Sequence, residues 1–385
     1  MTFRKFTFLF AVVAIAAAAA LAGMRDAATS SEIAYVTEEE GGISEIDLST
    51  MKVIRRVQPS GIAPRGLAVT FDGKYVITSN KDTSDIAIFS TPQLDLVKRI
   101  HIGDNPEFIK IDPSGSRLFA TYEPSSQGGP PGAAKEPTKG PDKGAAKADA
   151  GKAKSKNDKT DDKTKDKDSD DENGPPAQIA SFHVGDWAPG PVSTAGQETE
   201  GIEFSRDGKQ MLVANESQET IGVFDEATGQ HLRDVDLKAY GIRPRGVKIS
   251  PDGSAYAVTM ESSGTLLKLD SKLNVIKSVP TGAKPYGLTF DRAGKRIFVS
   301  AAMARKLQVF SADSLNLLAE VPTGQRCWHF TFTPDDSKIL LACGRSGNVV
   351  VIDANSYKPL QTIEGFKLPW GIVTYPRSYG SLGLP

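Results

Sequence analysis

Six glutamates occupy two equivalent positions of a unit that recurs along the chain, and carboxylates gathered in this way could bind a metal. Glu107 and Glu200 follow the residue that begins a unit, whereas the other four each end the second apolar run of a unit. Because hard cations prefer several carboxylate oxygens, the hypothesis is a calcium or lanthanide site. The alternative is that these side chains are solvated loop residues. The predicted metal ligands are Glu38, Glu107, Glu123, Glu200, Glu216 and Glu261.

Basic and aromatic side chains fill other positions of the same two columns and the loops beside them. In five units the residue after the unit start is an arginine or an aromatic residue, and two more arginines lie in adjacent loops. The aromatic rings could receive a planar or peptide ligand by stacking, and the alternative is that they pack between the repeated units. The predicted ligand-binding rim comprises Arg65, Arg245, Tyr286, Trp328, Trp370, Arg305 and Arg345.

The two cysteines belong to one predicted hairpin, whose turn is centred near Asp335. Counting outward from that turn places Cys327 and Cys343 nearly opposite each other, close enough for a disulfide. A zinc site that included His329 would lack a clear fourth ligand, and free buried thiols are the other alternative. The sequence favours the disulfide, provided that the protein is exported to an oxidising compartment.

The sequence offers little support for catalysis. It holds no Gly-x-Ser-x-Gly elbow, no His-Glu-x-x-His pair and no Cys-x-x-Cys-His attachment site for a c-type haem. His101, His183 and His231 fall in late strands or loops, away from the two columns of candidate site residues. No catalytic residue is predicted, and the chain is expected to bind its ligand rather than to transform it.

A repeat of about 40 residues positions all these side chains. Each unit begins with Pro-x-Gly or a variant, as at Pro64 and Pro244, and continues with an apolar run, an Asp-Gly-Lys-like turn and three more apolar runs. The unit starts lie 42, 93, 45, 41, 42 and 42 residues apart, and removing a foreign segment of 54 residues from the interval of 93 leaves 39. Short β-branched runs at this period indicate the blades of a β-propeller.

Counting the units predicts an all-β fold, a seven-bladed β-propeller with four strands in each blade. Six units are whole, and the last holds only a first strand, at 371–375, whose three partners stand at 33–36, 43–46 and 52–55. Joining both ends of the chain in one blade would close the ring and remove free sheet edges. The strands of the first whole unit are expected at 66–71, 75–78, 86–89 and 96–100.

The remaining segments differ from the repeat in composition. Residues 1–22 place two basic residues before an apolar run that ends in small residues, which is typical of a secretory signal peptide and predicts a periplasmic location. A linker, 23–31, leads to the propeller at 32–376, and a C-terminal tail follows at 377–385. Residues 124–177, in the second whole unit, are rich in Lys and Asp and poor in large apolar residues, so a disordered insertion is expected.

Charge and hydropathy narrow the range of partners. The chain has 46 basic and 47 acidic residues and a net charge of −1, which gives no basic footprint for nucleic acid. Beyond the signal peptide, no stretch is long and apolar enough to span a membrane. The mature chain is therefore expected to be an exported monomer.

Two segments resemble known propeller families. Two stretches resemble the YVTN-type repeat, namely Tyr35-Val36-Thr37-Glu38 and Tyr75-Val76-Ile77-Thr78. The ending Leu368-Pro369-Trp370-Gly371-Ile372-Val373 resembles the β-propeller proteins associated with PQQ-dependent catabolism. The second resemblance implies a non-catalytic periplasmic protein that supports PQQ-dependent alcohol oxidation, with a PQQ-dependent alcohol dehydrogenase or an ABC transporter component as its partner. Because such dehydrogenases need calcium or a lanthanide, it also favours the metal hypothesis. The 54-residue insertion departs from this family's pattern.

Two other functions stay open. Lactonase-like propellers use carboxylates and a divalent metal, and five of the glutamates (Glu38, Glu107, Glu200, Glu216 and Glu261) could imitate such a site. Alternatively, the chain is a scaffold whose insertion, 124–177, docks another exported protein. Hydrolysis of lactones with added metal would favour the enzyme, and loss of a partner on deletion of the insertion would favour the scaffold.

Overall fold

Seven four-stranded antiparallel sheets make up the fold of the computed structural model, which describes residues 32–59, 62–123 and 175–384. The predicted seven-bladed, all-β propeller is confirmed. The predicted signal peptide (1–22), the linker (23–31) and residues 124–174 of the predicted insertion lie outside the described residues. In the part of the chain that is described, no helix is long and apolar enough to cross a membrane.

The blades are numbered in chain order. The first strand of a blade is the innermost one, which in blade 1 is β28. Blade 1 holds β1 (Ile33–Glu38), β2 (Gly42–Asp47), β3 (Lys52–Val57) and β28 (Pro369–Tyr375). Blade 2 holds β4 (Pro64–Val69), β5 (Tyr75–Asn80), β6 (Asp85–Ser90) and β7 (Asp95–His101). Blade 3 holds β8 (Ile109–Ile111), β9 (Arg117–Tyr122), β10 (Gln178–His183) and β11 (Ser193–Thr194).

The other four blades repeat the same order without interruption. Blade 4 holds β12 (Thr199–Phe204), β13 (Gln210–Asn215), β14 (Thr220–Asp225) and β15 (His231–Asp236). Blade 5 holds β16 (Pro244–Ile249), β17 (Ala255–Met260), β18 (Thr265–Asp270) and β19 (Val275–Pro280). Blade 6 holds β20 (Pro285–Phe290), β21 (Arg296–Ala301), β22 (Lys306–Ser311) and β23 (Leu317–Pro322). Blade 7 holds β24 (Cys327–Phe332), β25 (Lys338–Cys343), β26 (Asn348–Asp353) and β27 (Pro359–Glu364), and short 3₁₀ turns occur at Lys238–Tyr240 and Gly344–Ser346.

Blade 1 closes the ring with strands from both ends of the described chain. Its order is β28-β1-β2-β3, and Ile33 pairs with Tyr375 across the junction of the two ends. The predicted split blade is therefore confirmed. Pairing in this way leaves no first strand of the ring without a neighbour in its own sheet.

Burial falls from the first strand of a blade to the fourth. Every residue of β12 and of β20 is buried, whereas β7 and β15 are mostly exposed. The first strands surround the central channel and pack against the first strands of adjacent blades, as β12 does against β16 and β28 against β4. The second and third strands fill the space between blades with apolar side chains, so the free energy of burial is spread over six hydrophobic clusters.

The recurring Asp-Gly-Lys signal forms the turn between the first and second strands. In blade 2 an oxygen of Asp72 accepts a hydrogen bond from the Thr70 hydroxyl at 2.8 Å and from the Lys74 backbone N–H at 3.1 Å. Gly73 has φ +70°, a conformation that glycine adopts without steric cost. The same aspartate bond recurs in blades 4, 5 and 7, so the motif marks the face of the propeller opposite the unit starts.

The predicted insertion falls between the second and third strands of blade 3, the second whole unit of the sequence. Tyr122 pairs with Gln178 where β9 and β10 flank it. Ala177, the last residue assigned to the insertion, is buried and its N–H donates to Gly196 O at 2.8 Å. The predicted tail likewise packs against the propeller, since Ser378, Ser381 and Leu382 are all buried.

Candidate functional site

The two columns of candidate residues lie on one face of the propeller. The first residue of each first strand pairs with the end of the second strand, as Pro64 pairs with Asn80 and Pro244 with Met260. Residues that follow the unit start and residues that end or follow the second strand are therefore neighbours at the same end of the channel. This antiparallel register is why the two sequence columns meet in space.

A cleft of about 410 Å³ opens on this face among blades 2 to 5, and it is called the rim cleft below. It brings together four of the six predicted metal ligands and two residues of the predicted ligand-binding rim. The predicted residues that line it are Arg65, Glu107, Glu123, Glu200, Glu216 and Arg245, and Glu261 contacts it through Arg245. Glu38, Tyr286, Trp328, Trp370, Arg305 and Arg345 do not line it.

Arg245 lies at the centre of the buried charges of the rim cleft. Its guanidinium donates to Glu200 at 2.7 Å and to Glu261 at 2.9 Å, and one of its nitrogens is 2.8 Å from Glu216 Oε1. It also donates to the Tyr286 hydroxyl at 2.6 Å and lies 4.0 Å from the centre of that ring. One arginine thus joins carboxylates from blades 4 and 5, and such charge-assisted bonds are strong when water is excluded.

Two further arginines extend this network. Arg65 lies 2.8 Å from Glu107 and 3.2 Å from Glu39, so it links blades 1, 2 and 3. Arg243 forms an ion pair with Glu216 and lies 3.7 Å from Glu198. The side chains of Arg65 and Arg243 are 16% and 18% exposed, so both pairs are largely shielded from solvent.

The network contains more carboxyl groups than arginines. The pKa values of these carboxyl groups shift in opposite directions. Burial raises the pKa of Glu216 to about 7, against the opposing charges of Arg245 and Arg243, and burial raises the pKa of Glu200 well above its usual value. Burial also opposes ionisation of Glu107 and Glu261, but nearby arginines outweigh it and lower both pKa values. A hydrogen bond between Glu107 and Glu200 fits this division, with Glu200 carrying the proton.

This division predicts how stability depends on pH. The pKa of Glu216 is about 7 in the folded state against 4.5 for an ordinary glutamate, so its stabilising contribution is complete below pH 4.5 and is lost as pH rises through 7. We expect the free energy of unfolding of the wild type to fall between about pH 5 and about pH 8, and Glu216→Gln to flatten that fall. Urea unfolding at both pH values checks it, and equal slopes in the two proteins would contradict the assignment.

The glutamates of the predicted metal site are not arranged as metal ligands. Glu38 lies in blade 1, where it pairs with Arg56 at 3.1 Å and accepts from the Lys367 N–H at 2.5 Å. In the rim cleft the guanidinium of Arg245 occupies the space among the carboxylates. Within residues 32–59, 62–123 and 175–384, no group of three or more His, Cys, Asp or Glu is placed to hold a metal ion. The carboxylates as placed do not fit calcium or a lanthanide, and no chemistry is derived through a metal.

The aromatic residues of the predicted rim pack within the protein. Tyr286 and Trp370 are 5% and 2% exposed, and their rings lie edge to face at 6.3 Å. The Trp328 ring covers Gly344 so closely that a Cβ there would lie 1.8 Å from a ring carbon. Arg305 and Arg345 are exposed in their loops. These rings therefore fit the alternative to ligand stacking, in which they pack between the blades.

Three residues of this region are absent from the predicted metal and ligand sites. His329 is buried at the channel centre, 4.3 Å from the Trp370 ring, and burial lowers its pKa well below the usual value. Asn105 and Arg243 each precede the proline that begins a unit, and both line the rim cleft. The residue before each unit start reads Asn105, Glu198, Arg243 and Lys284 in consecutive blades, so this column of the repeat could have indicated Asn105 and Arg243.

The predicted disulfide between Cys327 and Cys343 is confirmed. The two residues are directly paired at the start of β24 and the end of β25, and their Cα atoms are 3.7 Å apart. The bond therefore joins the two strands of blade 7 that stand beside Trp328. No free cysteine is left in the chain.

Comparison with known proteins supports the fold and gives no single function. The family described as Cytochrome D1 heme domain matches residues 11–123. No curated protein matches the chain. A functionally unknown protein from Desulfotomaculum acetoxidans is 15% identical with a TM-score of 0.67, covering 89% of this chain and 98% of that one.

Two of the similar structures are described as lactonases. A candidate 6-phosphogluconolactonase from Bacteroides fragilis is 16% identical with a TM-score of 0.66, covering 91% of this chain and 99% of its own. The periplasmic gluconolactonase of Pseudomonas aeruginosa is also 16% identical, with a TM-score of 0.65 and coverage of 90% and 99%. At this identity, the likeness establishes a shared β-propeller fold.

Proposed function

We propose that the chain is a non-catalytic binding protein whose rim cleft takes a small, hydroxyl-rich molecule. The observation that carries this proposal is a pair of buried polar atoms on the cleft wall, Asn105 Oδ1 and Arg245 Nε, that lack hydrogen-bond partners among the described residues. One is an acceptor and the other is a donor. A buried polar atom without a partner is costly, and a ligand hydroxyl can satisfy both kinds because it donates and accepts.

The charge of the cleft restricts the ligand further. Acidic side chains outnumber basic ones on its walls, which carry Asp82, Asp104, Glu107, Glu123, Glu198, Glu200 and Glu216 against Arg65, Lys81, Arg243 and Arg245. The surplus of carboxyl groups disfavours an anionic ligand and favours a neutral or cationic one. A volume of about 410 Å³ lies in the range of small-molecule sites. A monosaccharide or an amino sugar has the required hydroxyl groups, charge and size.

Calorimetric titration with three sugars of different charge tests this proposal. D-glucosamine and D-glucose should bind, whereas D-gluconate should bind more weakly because of its carboxylate. Asn105→Gly removes the unpartnered oxygen, and glycine tolerates the φ of 45° found there. We expect this variant to bind glucosamine about tenfold more weakly, since one hydrogen bond is lost.

Arg305→Gln supplies the control for that variant. Arg305 is exposed and lies outside the rim cleft, so its replacement should leave glucosamine binding unchanged. Equal loss of affinity in both variants, or preferential binding of gluconate, would contradict the proposal.

A lactonase is the second candidate function, and one observation favours it. The pKa of Glu216 is raised to about 7 beside Arg245, so the group could exchange a proton near neutral pH as a general acid or base requires. The structural neighbours described as lactonases point the same way. Adding glucono-1,5-lactone to the titration series distinguishes the two: hydrolysis above the buffer rate that is lost in Glu216→Gln would replace binding with catalysis.

The cellular setting is proposed from the sequence. We place the protein in the periplasm, in support of PQQ-dependent alcohol oxidation, with a dehydrogenase or ABC transporter component as partner. The segment that suggested this setting forms β28, where Trp370 is buried, so its tryptophan packs the ring rather than meeting a partner. The insertion leaves the described chain at Glu123 and rejoins it near Ala177, both on the cleft wall, which keeps a docking role for it open to pull-down with a deletion variant.

A further inference from the structure

A second, smaller cavity lies toward the end of the central channel opposite the rim cleft. The first strands of blades 1, 2 and 3 form its walls through Thr374, Ala68 and Lys110, and the C-terminal segment 377–384 closes it. Its volume is about 20 Å³, room for one water molecule or one small ion. None of its lining residues lines the rim cleft.

Two hydroxyl groups in this cavity lack partners. Thr374 and Ser378 are 1% and 2% exposed, and neither Thr374 Oγ1 nor Ser378 Oγ hydrogen bonds to any other described residue. Both residues line the cavity, Thr374 from β28 and Ser378 from the C-terminal segment. Each hydroxyl carries a proton that it can donate to an occupant, and an unmet buried hydroxyl is destabilising.

Both charged side chains that line the cavity, Lys110 and Arg377, are basic. The Arg377 guanidinium stacks 3.6 Å from the centre of the Phe71 ring. Burial lowers the pKa of Arg377 to about 10, with the charge of Asp112 opposing that shift. The Asp112 carboxylate accepts instead from the N–H groups of Ser114 at 3.1 Å and Arg117 at 2.7 Å.

Two lysines beside the cavity share one carboxylate. Lys110 lines the cavity and its Nζ lies 2.8 Å from Glu203 Oε1. The Lys248 Nζ lies 3.7 Å from Glu203 Oε2 and donates to Gly383 O at 3.1 Å, which fixes the C-terminal segment over the cavity. Burial and the charge of Lys110 lower the pKa of Lys248 well below its usual value, so Lys110 is the lysine that carries the charge paired with Glu203.

We infer that this cavity binds a small monovalent anion of the size of chloride, held by the hydroxyls of Thr374 and Ser378 and the positive charge of Arg377. The anion would accept from both hydroxyls at once and lie beside the positive charge of Arg377. Because Ser378 and Arg377 belong to the C-terminal segment and Thr374 to the ring-closing strand, the anion would tie that segment to the first strands of three blades.

Thermal unfolding in chloride at constant ionic strength tests this inference. Protein prepared in sodium methanesulfonate is titrated with sodium chloride, and the unfolding temperature of the wild type should rise and then saturate, as linkage requires of a ligand that binds the folded state. The double variant Thr374→Val, Ser378→Ala should need about tenfold or more chloride for the same rise, since two hydrogen bonds to an ion are lost. Lys98→Gln, which removes an exposed charge, should respond as the wild type does.

Folding of the double variant does not confuse the result. The two hydroxyls bond to no described residue, so their replacement should leave the unfolding temperature in methanesulfonate equal to or above that of the wild type. An unfolding temperature of the wild type that ignores chloride would show that the cavity holds water only and overturn the inference. The same rise in the wild type and the double variant would overturn it as well.

Discussion

Replacing Arg245 with methionine is expected to destabilise the folded protein by about 3–5 kcal/mol, the usual cost of removing one partner from a buried ion network. Methionine fills much of the same volume but leaves Glu216 and Glu261 without the cation that they share and Glu200 without its hydrogen-bond donor. The side chains of these three glutamates are at most 8% exposed, so solvent cannot take over the role of the guanidinium. Urea unfolding at neutral pH measures the loss.

Two comparisons make the Arg245→Met experiment specific. Arg305→Gln alters an exposed arginine and should change the free energy of unfolding by less than about 0.5 kcal/mol. Lowering the pH should restore part of the stability of Arg245→Met, because the abandoned carboxyl groups become protonated and uncharged. A variant that is as stable as the wild type at neutral pH would show that the network does not hold blades 4 and 5 together.

Removing the disulfide should have the second largest effect. The bond between Cys327 and Cys343 closes a segment with a sequence separation of 16, and a loop of about this length corresponds to about 3 kcal/mol in the chain-entropy treatment. Cys327→Ala, Cys343→Ala should therefore unfold at lower urea concentration than the oxidised wild type. The alanine side chains preserve the β24–β25 pairing, so the blade should keep its fold.

A reducing agent supplies the matched control for the disulfide. It should destabilise the wild type by a similar amount and leave the double alanine variant unchanged, because that variant has no cysteine left to reduce. Equal destabilisation of both proteins by the reductant would contradict the disulfide as the cause.

The fold could be predicted because each blade is a local unit whose strands are separated by recognisable turn residues. The Asp-Gly turn at Asp72 and Gly73 and its equivalents fix where the first strand ends and the second begins. The predicted bounds 66–71 for the first strand are wrong by two residues, because β4 runs from Pro64 to Val69 and Pro64 already pairs with Asn80. The apolar content of a strand can be read from that strand alone, whereas the residues at which two strands begin to pair depend on both strands.

The charged site was only partly predictable. The sequence columns placed Glu107 and Glu200 together on one face, as the structure has them, and they also placed Arg65 and Arg245 on either side of that pair in ring order. Treating the carboxylates as a set apart from the arginines led to the metal hypothesis. Which guanidinium meets which carboxylate depends on side-chain conformations between blades, and those have no sequence period.

The buried aromatic residues show that one repeat position can hold side chains with different surroundings. Tyr286 and Trp370 share a column with Arg65 and Arg245, so the repeat gives all four the same backbone position. Their exposure differs because the rings pack against His329 at the channel centre, whereas the arginines reach the carboxylates of the rim cleft. Residue type, and not position in the repeat, decides which side chains turn inward.

A crystal structure of the protein with D-glucosamine tests the central claim most directly. The account predicts the sugar in the rim cleft, with a hydroxyl about 2.7–3.2 Å from Asn105 Oδ1 and further polar contacts to Glu216 or Arg245. Sugar bound elsewhere on the propeller, or a rim cleft that holds ordered water alone at saturating glucosamine, would contradict it.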